Sequence, residues 1–170
     1  DVERFAERVR HELGAPDVLV NNAGIAGLGG LDELTPGDYD DVFGVNVRGL
    51  FLCSRAFAPD MVERGDGVIV NIASLAGKNA FPGGTVYAAS KHAVMGMSKC
   101  MMLELREHGV RVLTICPGSV DTPFFDKQER FEPDREKIVQ PDDVAELVLS
   151  AVRLSDRGTV SEAEIRPVNP

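Results

Sequence analysis

Short apolar runs alternate with longer amphipathic segments along this chain, a pattern typical of repeated strand–helix units. Four β-rich runs predict strands at residues 17–22, 67–74, 111–117 and 159–165. The first three are apolar along most of their length, so we expect both of their faces to be covered. The predicted fold class is therefore α/β, with a doubly wound parallel sheet of about four strands and flanking helices.

The segments between the strands carry helix signals. Helices are predicted over residues 1–14, from Thr35 towards Pro59, over 85–108, and from Pro141 onwards. Thr35 is a good N-cap, and a proline follows it at the first helical position. Residues 118–140 lack periodicity, and we expect this stretch to be a lid or binding loop.

Size and charge narrow the class of protein. The 170 residues, 44% of them hydrophobic, suit a single domain, or part of one, over residues 1–170. A net charge of −9, without a basic cluster, argues against nucleic acid as a partner. No apolar run approaches the roughly 20 residues of a membrane helix, and no signal peptide is recognisable, so we expect no membrane association and a cytoplasmic location.

Cys53, Cys100 and Cys116 are odd in number and widely spaced, which predicts reduced, partly buried thiols and no metal site.

Each of the first three predicted strands runs into an unusual loop. The loops are "NNAG" (21–24), "ASLAG" (73–77) and "PGSVDTP" (117–123). Ligands of open parallel sheets bind outside the carboxyl ends of the strands. We therefore expect the three loops to converge on one cleft.

Tyr87 and Lys91 are four residues apart in a mostly apolar helical segment, so both side chains project from one face. An ammonium group close to a phenol would lower the tyrosine pKa and make Tyr87 a usable proton donor and acceptor. Ser74, at the end of the preceding strand, could hold a substrate oxygen beside it. Spacing alone also fits an ordinary pair on a helix surface.

Asn46 lies between Gly44 and Gly49 in a segment that otherwise reads as helix. Asparagine is a poor residue for a helix interior, which predicts a local distortion or a bound water at this position. A solvent-facing asparagine is the alternative.

Together, these segments resemble the short-chain dehydrogenase/reductase family. "DVLVNNAG", "NVRG", "VNIAS", "YAASK" and "RVLTICPGSVDTP" stand in that family's order and spacing, between about residues 17 and 165. The resemblance implies a Rossmann-like fold and an NAD(P)(H)-dependent oxidoreductase that interconverts alcohols and carbonyl compounds. The substrate would be a small-molecule alcohol, ketone or aldehyde.

The resemblance also implies roles for single residues. Asn46, Ser74, Tyr87 and Lys91 match the family's catalytic tetrad. Tyr87 would be the general acid in reduction and the base in oxidation, and Ser74 would orient the reacting oxygen. Lys91 would tune Tyr87 and bind the ribose of the nicotinamide half, while Asn46 would hold a water that relays protons to Lys91.

Cofactor contacts are implied for a larger set. The adenosine side would be bordered by Asn21, Ala23 and Gly24, and the nicotinamide would be held by Pro117, Gly118, Val120 and Thr122, with Tyr87 and Lys91 between them.

One family feature has no counterpart in this sequence. Members of the family begin with a strand, a glycine-rich turn and a helix that seat the pyrophosphate. The nearest glycine cluster, "AGIAGLGG" (23–30), follows a strand but opens no helix in that context. We expect roughly 60 to 80 residues of the usual domain to be missing, and with them the residue that selects NAD or NADP. We therefore expect the sequence to be a truncated or incompletely represented copy of a longer enzyme, and we expect this chain alone to bind cofactor weakly at most.

Two other functions fit parts of the pattern. A non-catalytic dinucleotide sensor or scaffold could share the fold, but it would not need a proton relay. A sugar-nucleotide epimerase can share the tyrosine and lysine, but it usually carries a larger C-terminal domain.

Substrate and association follow from the apolar residues. Phe81, Phe124, Phe125 and Phe131 indicate an apolar-lined pocket or the packing of a lid. Helices 37–58 and 88–105 are apolar on nearly all sides, which predicts burial all round. Core helices under a long loop are one explanation, but the paired-helix interface implied by the resemblance favours a homodimer or homotetramer through those helices.

Overall fold

Four parallel strands form the centre of the fold. The computed structural model describes residues 1–126, 133–155 and 157–168. Within them the strand order follows the chain, with β1 (Val18–Asn21), β2 (Gly67–Ile72), β3 (Val110–Pro117) and β4 (Glu162–Ile165). Every pairing is parallel, so the predicted α/β class is confirmed. The predicted first, second and fourth strands were each too long, by up to three residues.

Helices cover the two faces of this sheet. They are α1 (Val2–Leu13), α2 (Pro36–Phe43), α3 (Leu50–Arg64), α4 (Thr85–Leu105) and α5 (Pro141–Val152). Thr35 caps α2 in a full capping box with Asp38, as its sequence predicts. Helices α3 and α4 pack on one face of the sheet, and α5 packs on the other.

Alternate residues of β2 and β3 build the core. Val68, Val70, Leu113 and Ile115 face α5, while residues of the opposite parity face α3 and α4. These two strands are covered on both faces, as expected.

The first strand, β1, is not covered on both faces, contrary to the expectation from its apolar sequence. It pairs only with β2 among the described residues, and Val18 and Val20 are 37% and 46% exposed. An apolar strand therefore forms an edge of the sheet, with half of its side chains in contact with solvent.

Pro59 does not end the second predicted helix. Helix α3 continues through it to Arg64, because Phe57 and Met61 on either side are buried in the core. Packing outweighs the cost of one proline inside a helix, about 3 kcal/mol. In the described part of the chain, no helix has the length and apolar character needed to cross a bilayer.

Candidate active site

Helix α4 presents Tyr87 and Lys91 from one face towards the carboxyl ends of the strands. The Lys91 ammonium nitrogen lies 5.9 Å from the centroid of the Tyr87 ring. It donates a hydrogen bond to the Ile72 carbonyl at the end of β2, 3.0 Å away, and its side chain is only 5% exposed. Lys91 is therefore buried and Tyr87 is partly buried, so the alternative of an ordinary pair on a helix surface is wrong.

Burial changes the pKa of both groups. It raises the pKa of Tyr87, and a hydrogen bond with the Ser74 side chain partly opposes this change. It lowers the pKa of Lys91 to about 8, opposed in part by an electrostatic interaction with Cys116. The predicted lowering of the Tyr87 pKa is therefore wrong for the protein without bound cofactor. Desolvation of the phenol outweighs the effect of the nearby Lys91 ammonium group.

Ser74 is held in place by the turn that follows β2. Its hydroxyl accepts a hydrogen bond from the Ala76 amide at 3.1 Å and donates to the Pro117 carbonyl at 3.4 Å. The next residues form a 3₁₀ turn, Leu75–Gly77, packed directly on α4. A Cβ atom on Gly77 would lie 2.8 Å from the Lys91 carbonyl oxygen, so only glycine permits this close approach. The turn therefore keeps Ser74 beside Tyr87.

Asn46 lies in a π-helical segment, Gly44–Gly49, between α2 and α3, which confirms the predicted local distortion. Its side chain is buried and bonded to the main chain of Ile25. The Ile25 amide donates to Oδ1 at 2.8 Å, and Nδ2 donates to the Ile25 carbonyl at 2.9 Å. Asn46 therefore fixes the loop that follows β1, and the solvent-facing alternative is wrong.

Ser90, which was not identified from the sequence, connects Asn46 to α4. Its hydroxyl accepts a hydrogen bond from Asn46 Nδ2 at 2.9 Å and donates to the Tyr87 carbonyl at 2.7 Å. Ser90 is fully buried. Its position between Tyr87 and Lys91, on an otherwise apolar helix face, is the only sequence signal that could have identified it.

The loop after β1 approaches the same cluster. A Cβ atom on Gly24 would lie 3.5 Å from both Asn46 Oδ1 and Lys91 Nζ, so the glycine leaves open the space between them. Asn21, by contrast, turns inward. Its Nδ2 donates to Ser54 Oγ at 3.0 Å and to Asn71 Oδ1 at 2.8 Å, so its amide hydrogens are used within the protein.

The loop after β3 closes the other side of the cluster. The Gly118 amide donates to the Ile165 carbonyl at 2.8 Å, and Val120 bridges to Val139. Beyond Thr122, the ring of Phe124 lies over Tyr87, with their centroids 5.7 Å apart. The three predicted loops therefore do meet at one end of the sheet. Phe131 lies outside the described residues.

These residues fit the nicotinamide half of a dinucleotide. The open space beside Gly24 faces the Lys91 amine, which can donate to a ribose hydroxyl, and the described hydrogen bonds of Thr122 Oγ1 leave it room for another partner. The backbone after β1 stays irregular through the glycine cluster, up to α2, and opens no helix there. The cluster at 23–30 therefore provides no pyrophosphate-binding helix N-terminus, in agreement with the sequence analysis.

Comparison with known proteins identifies the family to which the chain belongs. A family model described as short chain dehydrogenase matches residues 1–133. The 2-(R)-hydroxypropyl-CoM dehydrogenase of Xanthobacter autotrophicus is 45% identical over 127 residues, 73% of this chain and 51% of that protein. The chain spans about half the length of the curated relatives it matches.

Solved structures share the whole architecture. The alcohol dehydrogenase of the archaeon Thermococcus sibiricus, complexed with 5-hydroxy-NADP, superposes with a TM-score of 0.89 at 28% identity, covering 99% of this chain and 70% of that one. The serine dehydrogenase of Escherichia coli has a TM-score of 0.87 at 32% identity, with coverage of 99% and 72%. The Rossmann-type fold, the order of the motifs and the family match agree, and the chain belongs to the short-chain dehydrogenase family.

Proposed function

We propose that these residues form the catalytic part of an oxidoreductase that interconverts an alcohol and a carbonyl compound with NAD(P)(H). Family membership supports oxidoreductase chemistry in general. The observation that carries the finer proposal is the cluster at the carboxyl end of the sheet, where Tyr87 contacts Ser74 and Lys91 lies one helical turn away. Residues 1–170 would constitute one partial domain of this enzyme.

Tyr87 moves the proton in this proposal. Its hydroxyl donates to the carbonyl oxygen during reduction and accepts the proton back during oxidation. The raised pKa keeps the Tyr87 phenol protonated in the protein without bound cofactor, which suits the role of a general acid. Ser74 orients the reacting oxygen, since its hydroxyl is fixed against Tyr87 by the turn on α4. The bound nicotinamide supplies or accepts the hydride.

Lys91 and Asn46 support the proton path. With a pKa of about 8, the Lys91 amine can exchange a proton near neutral pH, and its position beside Gly24 suits a bond to a ribose hydroxyl. Both Nδ2 hydrogens of Asn46 are already used. A relay water at Asn46 must therefore donate its own hydrogen to an oxygen of this residue.

The cofactor would be NAD or NADP, because solved relatives are complexes with NADP or its 5-hydroxy form. We assign its contacts to the loops at the ends of β1 and β3. These are Asn21, Ala23, Gly24, Pro117, Gly118, Val120 and Thr122. Since the Asn21 side chain is committed to Ser54 and Asn71, its contribution would be through the main chain.

The proposed partners are a small-molecule alcohol or carbonyl substrate and further copies of the same chain. A groove of about 640 Å³ runs between the α2–α3 segment and α4. Asp40 and Arg48 lie at this groove with the apolar side chains of Phe43, Val47, Phe51 and Met97. A two-fold axis placed midway between Asp40 and Arg48 would set each aspartate against the arginine of the other copy, a self-complementary arrangement for a homodimer or homotetramer.

Substitution of the tyrosine tests the proposed chemistry. In the cofactor-loaded enzyme, Tyr87→Phe should reduce kcat by about 10²- to 10⁴-fold and leave NAD(P)H affinity nearly intact, since the hydroxyl serves proton transfer. Lys91→Ala should weaken both turnover and cofactor binding. Steady-state kinetics and fluorescence titration with NADH and NADPH measure the two effects. A Tyr87→Phe enzyme that keeps more than about a tenth of the original kcat would exclude Tyr87 as the acid.

A further inference from the structure

The ring of Phe124 forms a wall beside the proton donor. Its plane is tilted 54° to that of Tyr87, and Phe125 packs edge-on against it at 5.4 Å. Both phenylalanines belong to a single 3₁₀ turn, Pro123–Phe125. One such turn is too short to hold its own conformation, so contacts from elsewhere must fix it.

Arg135 provides these contacts. Its guanidinium donates to Asp121 Oδ1 at 2.7 Å and to Asp126 Oδ1 at 2.6 Å, on the two sides of the 3₁₀ turn. It also donates to the Thr122 carbonyl at 3.3 Å. The planar arginine head group carries five donors and can serve all three acceptors at once, which a lysine would not do with the same geometry.

Backbone bonds hold the end of the segment that carries Arg135. The Asp121 amide donates to the Val139 carbonyl at 2.8 Å, and the Val139 amide donates to the Ser119 carbonyl at 3.1 Å. Arg135 therefore projects from a base that is tied to the loop after β3. The ion pairs are partly exposed, with the arginine side chain 43% accessible, so their contribution to global stability is small and their main effect is on geometry.

We propose that Arg135 is a positioning residue that acts through Asp121 and Asp126 to hold Phe124 over Tyr87. In this arrangement Phe124 determines specificity, favouring carbonyl compounds whose substituent is apolar and flat enough to pack on its ring. This role in specificity rests on the proposed function, while the positional role does not.

The positional role can be measured without turnover. The chain has two tyrosines, Tyr39 and Tyr87, so ¹³Cζ-tyrosine labelling gives two signals, and Tyr39→Phe assigns them. Phe124→Leu should move the Tyr87 signal by removing the ring current. Arg135→Gln should move it in the same direction, because the ring is no longer held. Lys137→Gln is the matched control, since Lys137 is in the same segment and pairs with Asp134.

Kinetics of the cofactor-loaded enzyme tests the role in specificity. For acetophenone relative to acetone, Arg135→Gln and Phe124→Leu should each reduce the ratio of kcat/KM by about three- to tenfold, mainly through KM. The double variant should lose little more than either single variant, because both changes act on the same ring.

The outcomes separate the two proposals. An unmoved Tyr87 signal in Arg135→Gln, or an equal movement in Lys137→Gln, would overturn the positional role. A moved signal with an unchanged substrate ratio, or fully additive losses in the double variant, would overturn the role in specificity. Turnover that survives Tyr87→Phe would instead refute the proposed function and leave the signal measurement valid.

Discussion

At the scale of single residues, the site contains a buried cation that costs stability. Burial lowers the pKa of Lys91 from 10.5 to about 8, so the charged form is less favourable in the folded chain than in the unfolded one. Between about pH 8 and 10.5 the unfolded chain binds more protons at this position. The contribution of Lys91 to the free energy of unfolding therefore rises as the pH rises through this range.

We expect Lys91→Met to be more stable than the parent chain at pH 7, by about 1 to 3 kcal/mol, because the charge no longer has to be buried. This advantage should shrink as the pH approaches 10.5. Urea unfolding of both proteins at pH 7 and pH 10 measures this difference in stability. A stability difference that stays constant with pH would show that Lys91 is not desolvated to this extent.

At the scale of elements, Ser90 joins the π-helical segment to α4. Loss of its hydroxyl in Ser90→Ala would release Asn46 from α4 and let Tyr87 shift relative to the loop after β1. We expect kcat to fall by about three- to tenfold, with a shift in the pH dependence of kcat/KM, since small displacements of a proton donor reduce the rate.

Ser98→Ala is a matched control for this prediction. Ser98 is buried in the same helix, donates to the Val94 carbonyl at 2.7 Å and accepts from Asn71 at 2.9 Å. It has no hydrogen bond to any of the four residues of the proposed tetrad among the described contacts. Both variants should lose similar stability, about 1 to 2 kcal/mol. Equal kinetic losses in the two variants would mean that Ser90 serves packing alone.

Periodicity predicted the four strands and the longer helices of the described residues, because most of these elements have a local pattern of apolar residues. It failed where packing overrides a local signal. Pro59 is a helix breaker by its chemistry, yet Phe57 and Met61 keep it within α3. The spacing of Tyr87 and Lys91 predicted that they share a face, but it carries no information on burial, which sets the direction of both pKa changes.

At the scale of the whole molecule, the apolar helices are less buried than their composition predicts. Phe51 on α3 is 48% exposed and Leu103 on α4 is 57% exposed, so α4 is not covered on every side by the described residues. Phe51 and Met97 line the groove between the two helices, where Asp40 and Arg48 also lie. A second copy of the chain placed there would cover this surface and pair the charges.

We therefore expect Phe51→Asp to shift the protein from a dimer or tetramer towards the monomer, because a carboxylate placed in an apolar contact must be desolvated when the copies associate. Met101 on α4 would be a poorer test, since it packs on two core clusters and a charge there would also destabilise the fold. Leu154→Asp is the control, with a side chain that is 41% exposed just beyond α5, on the opposite layer. Light scattering of the three proteins at matched concentrations measures the mass. A parent protein that is folded and monomeric, or a Phe51→Asp variant that associates as strongly as the parent, would place the interface elsewhere or exclude one.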